Sequence, residues 1–352
     1  MPKIAIILAR LDLLGPVKVM QNLVNSLKEF DNLEIKVFYF DNVTDEKVRM
    51  DVPAVRIERK MFDFSYFDII HTNGIRPDLF AYLNRKRIKY HISTIHNFVF
   101  EDLAFTYNRF VSLIFGKIWL TLWLKADKLV CVSESMKEYY SRWLPAHKMK
   151  ILYNGIADSD KFTEPDRFFL NVIERFHSRG LKVIGSAGIL TKRKGFDMIL
   201  DLLKDEKGYA YIIIGDGKEL SALRKKTEKS KVSDRVFFCG FRNNAADYMS
   251  YFDVFAMPSR SEGFGLALVE AVERRTPVIC SDLSVFKELF TDEEVTFFKT
   301  DNLNSLRKAL GEAIESVKSK CEPAYRRYHD NYRAEIMARR YVELYQAVIS
   351  NQ

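Results

Sequence analysis

Residues Asp253 to Ala271 read DVFAMPSRSEGFGLALVEA. An apolar run over 254–257 meets Pro258 and a polar loop, then Glu262-Gly263-Phe264-Gly265, then a helical pattern opening at Leu266. Glycines let backbone approach a ligand and expose N–H groups at a helix start, where anionic groups are favoured. Glu262, in the loop, can accept hydrogen bonds from sugar hydroxyls. Glu270, eight residues on, lies in the helix and can grip the two hydroxyls of a ribose. A G-x-G alone would mark a tight turn. The paired glutamates, the Pro-Ser entry and the flanking strand favour a ligand site.

A second constellation is Gly188-Ile-Leu-Thr-Lys-Arg-Lys-Gly195, after an apolar run ending near Ala187. It sets Lys192, Arg193 and Lys194 at a strand's carboxyl end, suited to the charge of a departing nucleoside diphosphate. Ile212-Ile-Ile-Gly215-Asp-Gly217-Lys-Glu-Leu220 resembles part of a dinucleotide fingerprint. The third glycine is missing, so no dehydrogenase is implied. In the first half, Gly15-Pro16 follows the first strand and allows close approach to phosphate. His71-Thr-Asn73-Gly74 and His96-Asn97 end two further strands. A histidine at a strand end is often structural, but two at carboxyl ends of one sheet point to a site. His71, Asn73 and Asn97 are the acceptor-side candidates. Asp158-Ser159-Asp160 is a D-x-D in a polar linker, and no His, Asp or Glu cluster has metal-ligand spacing.

The elements that must hold these residues alternate between strand-like and helical patterns, the mark of parallel α/β architecture. Strands are expected at 4–8, 35–40, 69–71, 91–95, 128–132 and 150–152, then at 183–187, 210–214, 236–239, 254–257 and 277–280. The join lies near Asn154 to Asp166, where Asn, Gly, Asp, Ser and Pro cluster. The 352 residues fit two domains at roughly 150 residues each. The expected division is 1–160, an acceptor-binding domain, 161–330, a nucleotide-sugar-binding domain, and a closing helical segment over 331–352. Two doubly wound, Rossmann-like units would face one another across an interdomain cleft, with ligands outside the carboxyl ends of their strands.

The net charge of +8 suits anionic lipid or phosphorylated small molecules. Nucleic acid is excluded as a partner, because no recognition motif accompanies the charge. The densest basic run is Arg85-Lys86-Arg87-Ile88-Lys89. Cys131, Cys239, Cys280 and Cys321 are scattered, as in a reduced cytoplasmic protein. Met1 to Arg10 reads as a first buried strand, since Arg10 and Asp12 interrupt the apolar core a signal peptide needs. Leu103 to Leu124 is the most hydrophobic long stretch, but Arg109 and Lys117 break it as a membrane span. Its Trp119 and Trp123, four apart on one helical face, and the run 85–89 are expected to offer an anionic membrane a surface.

With these motifs the chain resembles the family 4 retaining glycosyltransferases of the GT-B fold, of the bacterial polysaccharide and lipopolysaccharide-assembly type. Glu262 to Glu270 matches their E-x7-E element. Asn154-Gly155-Ile156, Lys194-Gly195, Gly215-Asp216-Gly217, Phe238-Cys239-Gly240 and Thr276-Pro277-Val278-Ile279 match further family positions. The resemblance implies sugar transfer from a UDP- or GDP-sugar to a glycan or lipid-linked acceptor, with retention, no required metal or other cofactor, and work in the cytoplasm or on the inner face of the membrane. It implies that Glu262 acts at the reacting sugar, held also by Gly263, Phe264, Gly265 and Leu266, and that Glu270 holds the ribose. Arg193 or Lys194 would neutralise the diphosphate, Gly15 would approach it, and His96 would stand beside the reacting sugar. The last helix would cross back onto the first domain. Two positions depart from the pattern: Ile189 stands where many relatives have Arg, and Leu14-Gly15-Pro16-Val17-Lys18 has one glycine and no Glu. The competing functions are a nucleotide-sugar epimerase on the same fold and a non-catalytic partner subunit binding nucleotide or lipid.

Overall fold

A computed structural model describes residues 1–12, 15–41, 48, 50–58, 62–157 and 162–350, the side chains of 317 and 318 excepted. Asp158 and Asp160 lie outside the described residues. The chain forms two compact units, Met1–Ala157 with Asn331–Gln352, and Asp158–Asp330.

The first unit is built on β1 (Lys3–Arg10), β2 (Glu34–Asp41), β3 (Ala54–Arg56), β4 (Ile69–Asn73), β5 (Tyr90–Ile95), β6 (Lys128–Cys131) and β7 (Met149–Ile151). They make one parallel sheet in the order β3-β2-β1-β4-β5-β6-β7. Strands covered on both faces read as continuous apolar runs, and Ile4 to Leu8 in β1 are all buried. Between the strands run α1 (Gly15–Leu27), α2 (Ile75–Leu83), α3 (Val99–Thr106), α4 (Arg109–Leu124) and α5 (Glu134–Tyr140). Asn108 caps α4, its side chain accepting from the Val111 N–H at 2.9 Å.

The second unit carries β8 (Lys182–Ala187), β9 (Tyr209–Ile214), β10 (Val236–Gly240), β11 (Val254–Met257), β12 (Val278–Ser281) and β13 (Thr296–Phe298). All are parallel, in the order β10-β9-β8-β11-β12-β13. Its helices are α6 (Arg167–Ser178), α7 (Phe196–Asp205), α8 (Leu220–Lys229), α9 (Ala245–Met249), α10 (Leu266–Glu273), α11 (Ser284–Leu289), α12 (Leu303–Glu315) and α13 (Val317–Asn331). A core of Ile199, Leu202, Ile213, Ala256 and Leu310 joins α7 and α12 to the sheet.

The chain then returns to the first unit through α14 (Ala334–Ile349). Ile156 and Arg333 pair as a parallel bridge, and the Ala334 N–H donates to the Ile156 carbonyl at 2.8 Å. Tyr345 and Tyr341, one turn apart on α14, reach into the sheet. The Tyr345 hydroxyl lies 2.8 Å from His71 Nδ1, the Tyr341 hydroxyl 3.1 Å from Thr94 Oγ1, and Thr94 Oγ1 2.7 Å from His71 Nε2.

One surface expectation is corrected. Trp119 and Trp123 face inward: their indole N–H groups donate to Asp78 Oδ2 at 2.8 and 2.9 Å. Asp78 is buried at the start of α2 and also accepts from Ser93 Oγ at 2.7 Å, so the tryptophans satisfy a polar group that hydrocarbon would strand. The basic run stays at the surface, where Lys86, Arg87 and Lys89 are exposed and several of its cations have local partners. Arg85 donates to both carboxylate oxygens of Asp127, Lys89 pairs with Asp68 at 2.8 Å, and the Arg87 guanidinium sits 4.8 Å from the Phe64 ring. Cys131, Cys239 and Cys280 are buried free thiols, and Cys321 is half-buried and free. Among the described residues no helix is long and apolar enough to cross a membrane.

Candidate active site

The order of the second sheet reverses between β8 and β11, because each of these neighbouring strands continues outward in the opposite direction. Loops leaving the carboxyl ends of two such strands diverge and open a crevice. Here those loops are 188–195, after β8, and 258–265, after β11. Topology therefore brings together the basic loop and the Glu-Gly-Phe-Gly loop, although some seventy residues separate them.

The loops are locked to each other through backbone. The Arg260 N–H donates to the Arg193 carbonyl at 2.7 Å. Gly195 has φ 67°, and a Cβ there would overlap the Pro258 carbonyl, so only glycine lets the loops approach this closely. Arg260 completes the clamp: it bonds the Lys192 carbonyl at 2.7 Å, both oxygens of Asp197 at 3.0 Å, and Asp301 at 2.7 Å. The hydrogen bonds it donates to Asp197 and Asp301 raise its pKa. Sequence reading missed Arg260, and the only signal was an arginine inside the Pro-Ser entry. The Gly215-Asp216-Gly217 turn is the platform beneath. The Gly188 N–H donates to the Ile214 carbonyl and the Leu190 N–H to the Asp216 carbonyl, each at 2.9 Å, so this motif packs the basic loop.

Glu262 is buried on this clamp. Lys194 Nζ donates to its Oε1 at 2.6 Å, Ser259 Oγ to the same oxygen at 2.8 Å, and Arg193 Nη1 stands 3.1 Å from Oε2. Burial alone would raise the carboxyl, but the Lys194 and Arg193 charges, with the Lys194 and Ser259 hydrogen bonds, hold it down at about 2. The sequence assigned Glu262 to sugar hydroxyls and the cations to phosphate as separate tasks. In the structure the three groups form one ion cluster. Such a carboxylate is fully ionised and a weak base, suited to accepting hydrogen bonds. Gly263 and Phe264 are buried beside it, Gly265 precedes the first turn of α10, and Leu266 opens that helix. Glu270 lies one turn further on, buried on the same helix.

In the first unit the order reverses between β1 and β4. Asn73 ends β4, His96 follows β5, and Gly15 opens α1 after β1. His96 Nε2 lies 3.0 Å from Asn73 Oδ1. An amide oxygen only accepts, so Nε2 carries the proton and Nδ1 offers a lone pair. Burial pushes the His96 pKa down to about 4, which leaves it neutral near pH 7. Asn73 Nδ2 is buried with no hydrogen-bond partner among the described residues. Asn97 turns away from this pair, its amide donating to Asp102 Oδ2 at 2.9 Å.

His71 is corrected. It is fully buried, with both ring nitrogens held by Tyr345 and Thr94 beneath α14. It has no surface to offer an acceptor and serves to seat the returning helix. Burial pushes its pKa to about 3. Among the described residues no three His, Cys, Asp or Glu side chains gather as metal ligands would.

Comparison with known proteins fits this geometry. Residues 24–160 match the sequence family Glycosyltransferase Family 4, and residues 173–333 match Glycosyl transferases group 1. The chain is 35% identical over 353 aligned residues to the O-antigen biosynthesis glycosyltransferase WclY of Escherichia coli, covering 97% of this chain and 98% of that one. Among solved structures, the sucrose-phosphate synthase of Thermosynechococcus elongatus superposes with a TM-score of 0.85 at 17% identity, each chain fully covered. Anabaena HepE in complex with UDP and glucose superposes with a TM-score of 0.80 at 16% identity, over 99% of this chain and 100% of that one. The two parallel, Rossmann-like units have the GT-B fold, and the chain belongs to the family 4 glycosyltransferases.

Proposed function

We propose that this glycosyltransferase takes its sugar from a UDP- or GDP-sugar and places it, with retention at the anomeric carbon, on a glycan or lipid-linked acceptor of a cell-surface polysaccharide. The observation that carries the reading is the convergence of Arg193, Lys194 and buried Glu262 where β8 and β11 diverge. The cations, with the N-terminus of α10, offset the charge that develops on the departing nucleoside diphosphate. Glu262 accepts from hydroxyls of the transferred sugar, and Glu270 from the ribose. The oxygen of the acceptor bonds to the anomeric carbon as the bond to the diphosphate breaks, and the acceptor's proton leaves with the diphosphate. Neutral His96, held by Asn73, supplies a polar contact beside the reacting sugar. With two side-chain cations on the leaving group, no metal is required.

The relative WclY is named for O-antigen biosynthesis, and HepE was solved with UDP, which supports the acceptor class and the nucleotide class respectively. A lipid-linked acceptor would have the enzyme work at the inner face of the cell membrane. Labelled UDP- and GDP-sugars, incubated with the protein and a membrane lipid extract, test the reading. One donor should give a glycosylated product whose anomeric proton coupling matches the donor's configuration. An inverted product would remove retention, and isomerised donor without transfer would remove the reading altogether.

A further inference from the structure

The outward face of α4 is apolar where a helix at a protein surface should be polar. Its inward face is fixed: Trp119 and Trp123 donate to Asp78, and Ser112 Oγ donates to the Phe100 carbonyl at 2.5 Å. The helix cannot turn its other side inward without stranding that buried carboxylate. Left outside are Phe110, 72% exposed, Leu113, 51%, Ile114, 42%, Phe115, 48%, and Ile118, 45%. Four of these, at 110, 113, 114 and 118, follow the spacing of one helical stripe. Arg109 and Lys117 on the helix and Lys125 just after it are exposed too, and α4 contains no carboxylate.

We propose that this face of α4 lies on an anionic lipid bilayer, with its apolar stripe in the headgroup boundary and its cations on the lipid phosphates. The proposal rests on the reading that the acceptor is made at a membrane, and names the surface that meets it. An apolar stripe flanked by cations, on a helix too short and too charged to span, is the pattern of interfacial binding. Charge decides against a second copy of the chain. An isologous pair on this stripe would set the cations Arg109, Lys117 and Lys125 of one copy against those of the other.

Flotation with phosphatidylcholine vesicles, with and without phosphatidylglycerol, tests the proposal. The protein should float with anionic vesicles and weaken with salt. Phe110→Ser with Leu113→Ser and Ile118→Ser should lower partitioning roughly tenfold or more. Arg109→Gln with Lys117→Gln should lower it roughly fivefold per charge and leaves the apolar side chains in place should the first variant misfold. Equal flotation on neutral vesicles, no flotation, or unchanged binding by both variants would overturn the proposal. So would a dimer of the unaltered protein that the serine variant dissolves. Thermal shift with free nucleoside diphosphate separates this from the catalytic reading. Nucleotide binding without flotation removes the lipid face alone, and flotation without nucleotide binding removes the donor site alone.

Discussion

Lys194 and Glu262, sixty-eight residues apart in the chain, meet at 2.6 Å and form the centre of a buried ion cluster. Breaking a buried pair costs more than never having made it, because the remaining charge is left without a partner. Arg193 and Ser259 still hold Glu262 when Lys194 is removed, so Lys194→Met should lose about 1.5–3 kcal/mol of stability as well as turnover. Adding Glu262→Gln should return most of that stability and none of the turnover. Denaturant unfolding of the two single variants and the double, beside initial rates, reads the coupling. A Lys194→Met protein as stable as the unaltered one would show that the pair contributes nothing before donor binds.

The proposed function divides the donor between the two glutamates. Free nucleoside diphosphate contains the ribose assigned to Glu270 and lacks the sugar assigned to Glu262. Calorimetry should find its affinity for Glu270→Ala lowered about ten- to a hundredfold, the worth of a hydrogen bond to a charged group. Glu262→Gln keeps the shape and loses the charge, so it should bind free nucleotide nearly as before while turnover falls. Loss of nucleotide binding by a folded Glu262→Gln protein would assign both glutamates to the nucleotide.

Arg193 and Lys194 are assigned the leaving-group charge, so transfer should persist in EDTA. A complete loss of rate, restored by a divalent cation, would return the diphosphate to a metal and direct attention to Asp158 and Asp160. The rate in EDTA should instead respond to Arg193→Gln, falling by at least about tenfold if the guanidinium contributes a charged hydrogen bond in the transition state.

The parallel sheets were legible because buried strands read as apolar runs and each functional motif follows one. β3 and β13, three residues each at sheet edges, escaped because so short a run carries little pattern, although the equally short β7 stood out ahead of the Asn154-Gly155 turn. The glutamate and basic loops could be recognised separately, but their ion cluster could not, since it depends on β8 and β11 being neighbours. His71 shows the same limit. A histidine at a strand's end looks alike whether it faces a ligand or lies under a helix, and its partner Tyr345 comes 274 residues later. The spacing of Trp119 and Trp123 correctly put them on one face of α4. Which face that was depended on Asp78, an acid whose burial nothing in its neighbourhood announces.

The pairing of His96 with Asn73 makes a prediction about pH. Burial holds the His96 pKa at about 4, while the unfolded chain's histidine takes its proton near the ordinary value of about 6.5. As pH falls through that window the unfolded state binds the proton first, so His96 withdraws stability on acidification, with a slope of up to about 1.4 kcal/mol per pH unit. For the reaction, kcat should show no break near pH 6.5 from this group, and imidazole proton resonances should show it neutral down to about pH 5. Asn73→Asp replaces the amide oxygen, 3.0 Å from Nε2, with a carboxylate. A nearby anion favours the charged form, so the His96 pKa should rise and an acid limb should enter the kcat profile closer to neutrality. A His96 that titrates near pH 6.5 in the unaltered protein, or that does not move upward in Asn73→Asp, would break the link between this pair and the reacting sugar.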